Sequence, residues 1–377
     1  MKKILFITGT RADYGKMKSL LRLLQNNKNF EVEIFATGMH VLSQYGLTWK
    51  EIEKDRFRNI YQYINQQLGT EMDIILSNTI MGLSNYVIEK KPDLIVVHGD
   101  RIEALSGAIV GALNNIRVAH IEGGEVSGTI DESIRHAITK FAHIHFVCNE
   151  DAKRRVIQLG EKEESIFTIG SPDIDIMLSE NLPSYNIVKN RYDISFDKQD
   201  YAIFMYHPVT TEYHLLEKNI KEIKDALVES EENFVMIYPN NDKGSAIIIN
   251  EIEALKENNN IKIYPSIRFE YFLTLLKHAK YIIGNSSSGI REAEVYGIPT
   301  IDIGNRQMNR YSEQQKNIIH TIEDRHEILK AINEVNAFDR RYAQRFGKGN
   351  SDVEFLKVLE DNKIWNIEIQ KNFNDLN

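Results

Sequence analysis

The sequence predicts an α/β protein of two domains, each with a parallel sheet covered by helices. Short apolar runs alternate with amphipathic segments along most of the chain, the pattern of βα units whose sheet is covered on both faces. The alternation lapses in a polar stretch, 182–200, that carries Pro183, and then starts afresh. A length of 377 residues also exceeds what one hydrophobic core usually organises.

In order, the apolar run at 4–8 reads as the first strand, with a helix from residue 14 and a second strand at 32–36. A long helix from about residue 70 leads to a strand at 94–97, a helix at 102–113 and a strand at 117–121. A helix from 131, a strand at 145–147, a helix after Asn149 and a helix at 173–180 complete the first series. The second series has strands at 202–206, 234–238, 261–264, 281–283, 300–303 and 318–321, with helices between them and one from Asp324. The expected domains are 1–180 and 200–350, followed by a helical tail at 351–377 whose Trp365 and Phe373 are available to dock on the first domain.

Composition excludes several classes. A net charge of -8 without a block of like charges argues against a nucleic-acid or anionic-membrane surface, so any phosphate site must be local. One cysteine, Cys148, excludes an intramolecular disulfide and a cysteine zinc cluster; its expected role is strand packing in a reducing compartment. Met1-Lys2-Lys3 runs directly into a strand pattern and no apolar run reaches the roughly 18 residues of a membrane span, so a soluble cytoplasmic protein is expected.

The most informative segment is His120-Ile-Glu-Gly-Gly-Glu-Val-Ser-Gly-Thr-Ile-Asp-Glu-Ser-Ile-Arg-His136, where a strand ends in carboxylates and glycines before a helix begins. Acidic side chains at the end of a parallel strand face a crevice where a ligand can sit. Glu122, Glu125, Asp131 and Glu132 cluster there, and Asp100 ends the preceding strand, a density that points to proton transfer.

Two loops suit an anion. Thr8-Gly9-Thr10-Arg11-Ala12-Asp13-Tyr14-Gly15-Lys16 follows a strand and opens a helix, where free N–H groups and the helix dipole favour negative charge and Arg11 and Lys16 add to it. A plain βα turn with exposed cations accounts for the same residues. The glycine spacing is neither a dinucleotide fingerprint nor a P-loop. Gly284-Asn285-Ser286-Ser287-Ser288-Gly289 is the better cradle: small residues admit a phosphate, hydroxyls donate, and the ensuing helix adds its dipole. Glu292 in its first turn could accept ribose hydroxyls or simply favour the helix start. Gly297 ends the helix and Pro299 stops its continuation. His207 and Asn240 close two further strands of that series, giving one polar edge, whereas His143 and His145 read as structural. No zinc-binding spacing occurs.

Together, RADYGK at 11–16, HGDR at 98–101, the 120–145 motif, HPVTT, YPNND, GNSSSGIREA and GNRQ resemble the hydrolysing UDP-N-acetylglucosamine 2-epimerases that open sialic acid synthesis. The resemblance runs in matching order from about residue 3 to 310; the non-hydrolysing relatives usually carry Arg-Pro-Glu where this chain has Arg11-Ala12-Asp13. It implies two Rossmann-like domains with parallel sheets in a glycosyltransferase-B arrangement, with the active site in the interdomain cleft and UDP held mainly by the second domain. Carried over by motif, Arg11, Lys16, Arg101, His207, Asn240, Ser286, Ser287, Gly289, Glu292 and Arg306 would bind the nucleotide, and Asp100, Glu122 and Asp131 would be the catalytic carboxylates. Gly15 departs from members with serine there, so backbone or water must replace that hydroxyl.

The C2 proton of a nucleotide sugar lacks an adjacent carbonyl, so epimerisation there needs transient oxidation or a departing group. The missing dinucleotide fingerprint disfavours oxidation, and no cofactor or metal is expected. With UDP leaving from C1, loss of the C2 proton becomes an elimination to a glycal, and water then adds to give free N-acetylmannosamine. Arginine, lysine and the helix end would steady the diphosphate while carboxylates move protons; which acid is the base stays open. Three rivals are the same chemistry on UDP-N,N'-diacetylbacillosamine for legionaminic acid, an inverting UDP-sugar glycosyltransferase, and a non-catalytic UDP-sugar sensor. The resemblance further suggests a homodimer or homotetramer. The 70–90 helix with Ile74, Ile75, Ile80 and Met81 offers an apolar face for it, although covering the sheet explains that face equally.

Overall fold

The computed structural model describes residues 1–127, 130–308, 317–338, 340–343 and 345–375. Gly128 and Thr129 of the acidic motif, and 309–316 where the resemblance gives out, lie outside the described residues. The chain divides into two compact units: Met1–Glu125, Ile130–Ser179 and Arg345–Asn377 form the first, Val126–Thr129 and Glu180–Gln344 the second.

The first unit carries β1 (Lys2–Thr8), β2 (Phe30–Ala36), β3 (Ile60–Gln62), β4 (Leu94–His98), β5 (Arg117–Ile121), β6 (Ile144–Val147) and β7 (Ile166–Thr168). They form a seven-stranded sheet in the order β3-β2-β1-β4-β5-β6-β7, every pair parallel. Along β1, Ile4 and Phe6 enter one core layer with Phe146 and Phe355. Leu5 and Ile7 enter the opposite layer with Leu83 and Ala108. Burial on both faces explains why these strands read as continuous apolar runs rather than alternating ones.

The second unit carries β8 (Ala202–Met205), β9 (Phe234–Ile237), β10 (Ile261–Tyr264), β11 (Ile282–Gly284), β12 (Thr300–Ile303) and β13 (Ile318–Thr321). Its six-stranded parallel sheet runs β10-β9-β8-β11-β12-β13. Strand order reverses at β1/β4 in one sheet and β8/β11 in the other, and crevices that take ligands open beyond the carboxyl ends of strands at such points.

The stretch 182–200 differs from the expected linker. It holds the helix Tyr185–Arg191, and Tyr185, Val188, Ile194 and Phe196 are buried. The Tyr185 ring meets the edge of His278 at 5.3 Å, so buried aromatics override the polar composition around Pro183. The tail is helical over Ser351–Glu360 and has a short 3-10 turn at Asn362–Asn366. Trp365 docks: its Nε1–H donates to the Leu359 carbonyl at 2.9 Å and Lys2 Nζ lies 5.0 Å from its ring centre. Phe373 does not, being 91% exposed. Cys148 packs with Val147, Ala152, Val156 and Ile166. Among the described residues no helix is long and apolar enough to cross a membrane.

Candidate active site

On the first unit the turns after β4 and β5 bring carboxylates around one buried cation. Arg135 lies on the core-facing side of the helix Ile130–Phe141, between Ile134 and Ile138, and is 2% exposed. One arm of its guanidinium pairs with Asp100; the other donates to the Glu122 carbonyl at 3.1 Å and lies 3.5 Å from Glu125. A guanidinium buried so deeply is tolerable only with such partners. Glu122 comes directly after β5 with φ of +69°, a left-handed conformation that costs a non-glycine residue about 1 kcal/mol or more and so implies a tightly determined backbone. Its N–H donates to Phe146 O at 3.1 Å.

The Glu122 side chain is buried among a second set of partners. His98 Nε2 stands 3.3 Å from its Oε1, Lys16 Nζ 3.7 Å, and Ser171 Oγ donates to it at 3.4 Å. Lys16 is equally 3.7 Å from Asp173, a carboxylate with no exposure. Asp100 and Glu122 are thus joined through Arg135. Asp131 is half-buried in the first turn of the same helix, four residues before Arg135.

The N-terminal loop is arranged differently from the expected cradle. Two of its N–H groups are met by the chain's own acid: Asp13 accepts from Gly9 N at 3.0 Å and Thr10 N at 3.1 Å, and from the Thr8 hydroxyl. Thr10 accepts from Asp13 N in return, completing a capping box for the helix Arg11–Gln25. Arg11 pairs with Glu51 at 2.8 Å and Arg101 lies 3.8 Å from Glu103, so the structure places Arg11, Lys16 and Arg101 each beside a carboxylate of the first unit. His40 sits under this loop with its Nε2 3.0 Å from Thr8 Oγ1; burial holds it down to about 4.

On the second unit the corresponding edge is built around Asn285. Its side chain accepts from His207 N at 2.6 Å and donates to His207 O at 2.8 Å. Its carbonyl accepts from Gln307 Nε2 at 2.8 Å and Arg306 at 3.2 Å. Asn240 N–H donates to His207 Nδ1 at 3.0 Å, and because a backbone N–H can only donate, the neutral ring carries its hydrogen on Nε2. Gly284 ends β11 with φ of +133°, and a Cβ there would come within 2.0 Å of Met205 O. Ser286 then caps the turn Ser287–Gly289 by accepting from Ser288 N. The helix after that turn, Glu292–Val295, has only four residues, too few for the strong dipole expected of it, and its Glu292 is 1% exposed.

Sequence reasoning missed Arg135, Ser171 and Asp173, named Asn285 only as part of the cradle, and gave His98 no role. Arg135 did leave a signal, a cation in the apolar stripe of an amphipathic helix. His143 and His145 are structural. Val118 N donates to His143 Nδ1 at 3.1 Å, and His145 Nε2 lies 3.1 Å from Glu161. Among the described residues no group of three or more His, Cys, Asp or Glu could hold a metal ion.

Comparison with known proteins adds to this geometry. The family model described as UDP-N-acetylglucosamine 2-epimerase matches residues 22–360. A UDP-N-acetylglucosamine 2-epimerase of Neisseria meningitidis is 47% identical over 100% of both chains. A hydrolysing UDP-N,N'-diacetylbacillosamine 2-epimerase of Legionella pneumophila is 32% identical over 96% of each. Among solved structures, a Methanocaldococcus jannaschii UDP-GlcNAc 2-epimerase in complex with UDP-GlcNAc and UDP superposes with a TM-score of 0.81 at 23% identity, covering 95% of this chain and 99% of that one.

Proposed function

The chain belongs to the UDP-N-acetylglucosamine 2-epimerase family, and from that premise we propose that it is a hydrolysing member, converting UDP-N-acetylglucosamine and water to N-acetylmannosamine and UDP. The observation that carries the reading is the pair of acids at adjacent strand ends of the first unit: the buried Arg135 holds the Asp100 carboxylate and the Glu122 backbone carbonyl, while His98 and Lys16 flank the Glu122 carboxylate. A base takes the C2 proton, the C1–O bond breaks with its electrons leaving on UDP, and 2-acetamidoglucal forms. Water then adds across the double bond: C2 receives a proton from the opposite face and C1 the hydroxyl. Asp100, Glu122 and Asp131 are assigned to these proton transfers.

His207, Asn240, Ser286, Ser287, Gly289, Glu292 and Arg306 of the second unit are assigned to the nucleotide, where donors preorganised around a diphosphate stabilise charge as it develops. Arg11, Lys16 and Arg101 are assigned to the same ligand from the first unit. No cofactor enters this scheme. The product makes sialic acid synthesis in the cytoplasm the natural setting. A homodimer or homotetramer would bury Ile74, Met81 and Ile88, a stripe 50%, 60% and 64% exposed along the helix Met72–Lys90, and Met81→Lys should then lower the mass seen by light scattering.

The test is product analysis after incubation with UDP-N-acetylglucosamine and no added cofactor. Free N-acetylmannosamine and UDP are expected, with deuterium at C2 when the solvent is deuterated water; UDP-N-acetylmannosamine as the end product would exclude the hydrolysing assignment. The likeness to the Legionella enzyme favours a second reading, the same chemistry on UDP-N,N'-diacetylbacillosamine, and turnover of that nucleotide alone would establish it.

A further inference from the structure

His120 belongs to β5, two residues before Glu122, and neither it nor Thr139 has any exposed surface. Its Nε2 lies 2.8 Å from the Gly99 carbonyl and its Nδ1 3.1 Å from Thr139 Oγ1. A carbonyl can only accept, so Nε2 carries the hydrogen, and Nδ1 is left to accept from the Thr139 hydroxyl. That carbonyl belongs to the peptide joining Gly99 to Asp100. Its direction therefore sets where Asp100 projects.

Gly99 has φ of +74°, and its N–H donates to Ile121 O at 2.9 Å. The turn is thereby tied to β5 on both sides, by backbone through its N–H and by imidazole through its C=O. Thr139 stands four residues after Arg135, on the same buried face of the helix Ile130–Phe141. One helix face thus holds the acid through Arg135 and the support beneath it through Thr139. Gly123 leaves room for this, since a Cβ there would meet His120 Nδ1 at 3.2 Å and Thr139 Oγ1 at 3.3 Å.

We propose that His120 is a positioning residue: a hydrogen-bonded strut, set by Thr139, that aims the Gly99–Asp100 peptide so that the Asp100 carboxylate meets Arg135 and the reacting sugar carbon. Burial drives the imidazole down to about 3, so it stays neutral wherever the carboxylates work. With both nitrogens engaged it carries no proton to substrate. The inference rests on the functional reading above, which puts Asp100 in the chemistry.

Steady-state kinetics on His120→Ala, His120→Gln and Thr139→Val, with folding checked by circular dichroism, tests it. His120→Ala should lower kcat by about 10- to 100-fold, the scale of misplacing a catalytic group by about 1 Å, with KM changed less than about twofold. His120→Gln should recover part of that loss, because its side-chain amide can reach the Gly99 carbonyl, and both limbs of its pH–rate profile should stay where the wild type has them. Thr139→Val, nearly the same shape, should lower kcat about threefold or more and shift the imidazole nitrogen resonances of His120, decisive if His120→Ala does not fold. Wild-type kcat in Thr139→Val, or loss of a pH limb in His120→Gln, overturns the strut. If the wild type releases UDP from neither nucleotide sugar, the functional reading fails instead. The nitrogen resonances then still report whether Nε2 holds the hydrogen; a hydrogen on Nδ1 overturns the strut independently.

Discussion

The carboxyl edges of the two parallel sheets are built from different materials. On the first, charges are buried and cross-paired: Arg135 with Asp100 and Glu125, Lys16 between Glu122 and Asp173. On the second, amide and backbone hydrogen bonds through Asn285 join His207 to the Arg306 and Gln307 turn. Buried ion pairs are costly to assemble and add little net stability, whereas amide networks satisfy themselves at low cost. Under the assignments proposed above, which put the proton transfers on the first edge and most of the nucleotide contacts on the second, variants on the two edges should fail differently.

The largest effect belongs to the first edge. Asp100→Asn, Glu122→Gln and Asp131→Asn should each lower kcat by about 100-fold or more, as for lost acid–base catalysis, while UDP affinity by calorimetry moves less than about twofold. UDP affinity falling in step with kcat would erase the distinction between the edges.

Acid should also separate the units. His40, His120 and His143 of the first unit are held by burial to about 4, 3 and 4. In the unfolded chain each titrates near its ordinary 6.5, so below that pH the unfolded state binds protons that the folded state refuses, and stability falls as pH drops toward the folded values. At pH 5.5, one unit below the ordinary value, the three together should cost about 4 kcal/mol, at roughly 1.4 kcal/mol each. In the second unit burial lowers His278 as well, but the hydrogen bond from His320 to Asp302 raises that ring, a contribution that persists in acid and is lost as pH rises through the raised value. Hydrogen exchange at pH 5.5 should therefore show the first sheet opening before the second; simultaneous opening would tie the units together energetically.

How much of this was legible in the sequence depends on the range of the interaction. The strand at 117–121 and the helix at 102–113 match β5 and Ile102–Leu113 residue for residue, because continuous apolar runs and amphipathic periods are local properties. The edge strands β3 and β7, three residues each, are too short to carry a period. At the site, the strand-end acids stood out by type and density. Arg135 and Asn285 did not, because each acts through partners that are distant in sequence. The capping box is a local signal that the anion-loop expectation overlooks: Thr10 with Asp13 three residues later means that the helix start supplies its own anion.

On the second edge, Arg306→Ala should weaken UDP binding about tenfold, the loss of one charge-assisted hydrogen bond, with kcat at saturation close to wild type. A fall in kcat without a change in affinity would place Arg306 with the chemistry rather than the nucleotide.

The smallest effect sharpens the comparison by asking whether buried polarity in the first unit is always catalytic. The helix Ser351–Glu360 has no capping bond from Asn350; its start is capped from afar by Asp175, which accepts from Ser351 N at 2.8 Å, Asp352 N at 2.9 Å and Ser351 Oγ at 2.6 Å. Burial raises the Asp175 carboxyl above its ordinary range even with those bonds in place, so the charge itself adds little and the acceptor geometry carries the effect. Asp175→Ala should accordingly cost about 1 kcal/mol, the worth of an N-cap, and speed exchange of the 351–354 amides, while Asp175→Asn keeps one acceptor oxygen and loses less. Neither variant should change kcat. A loss of turnover in Asp175→Asn approaching that of Asp100→Asn would mean that the tail's attachment and the carboxylate edge act as one unit, and the contrast between stabilising and catalytic polarity would not hold.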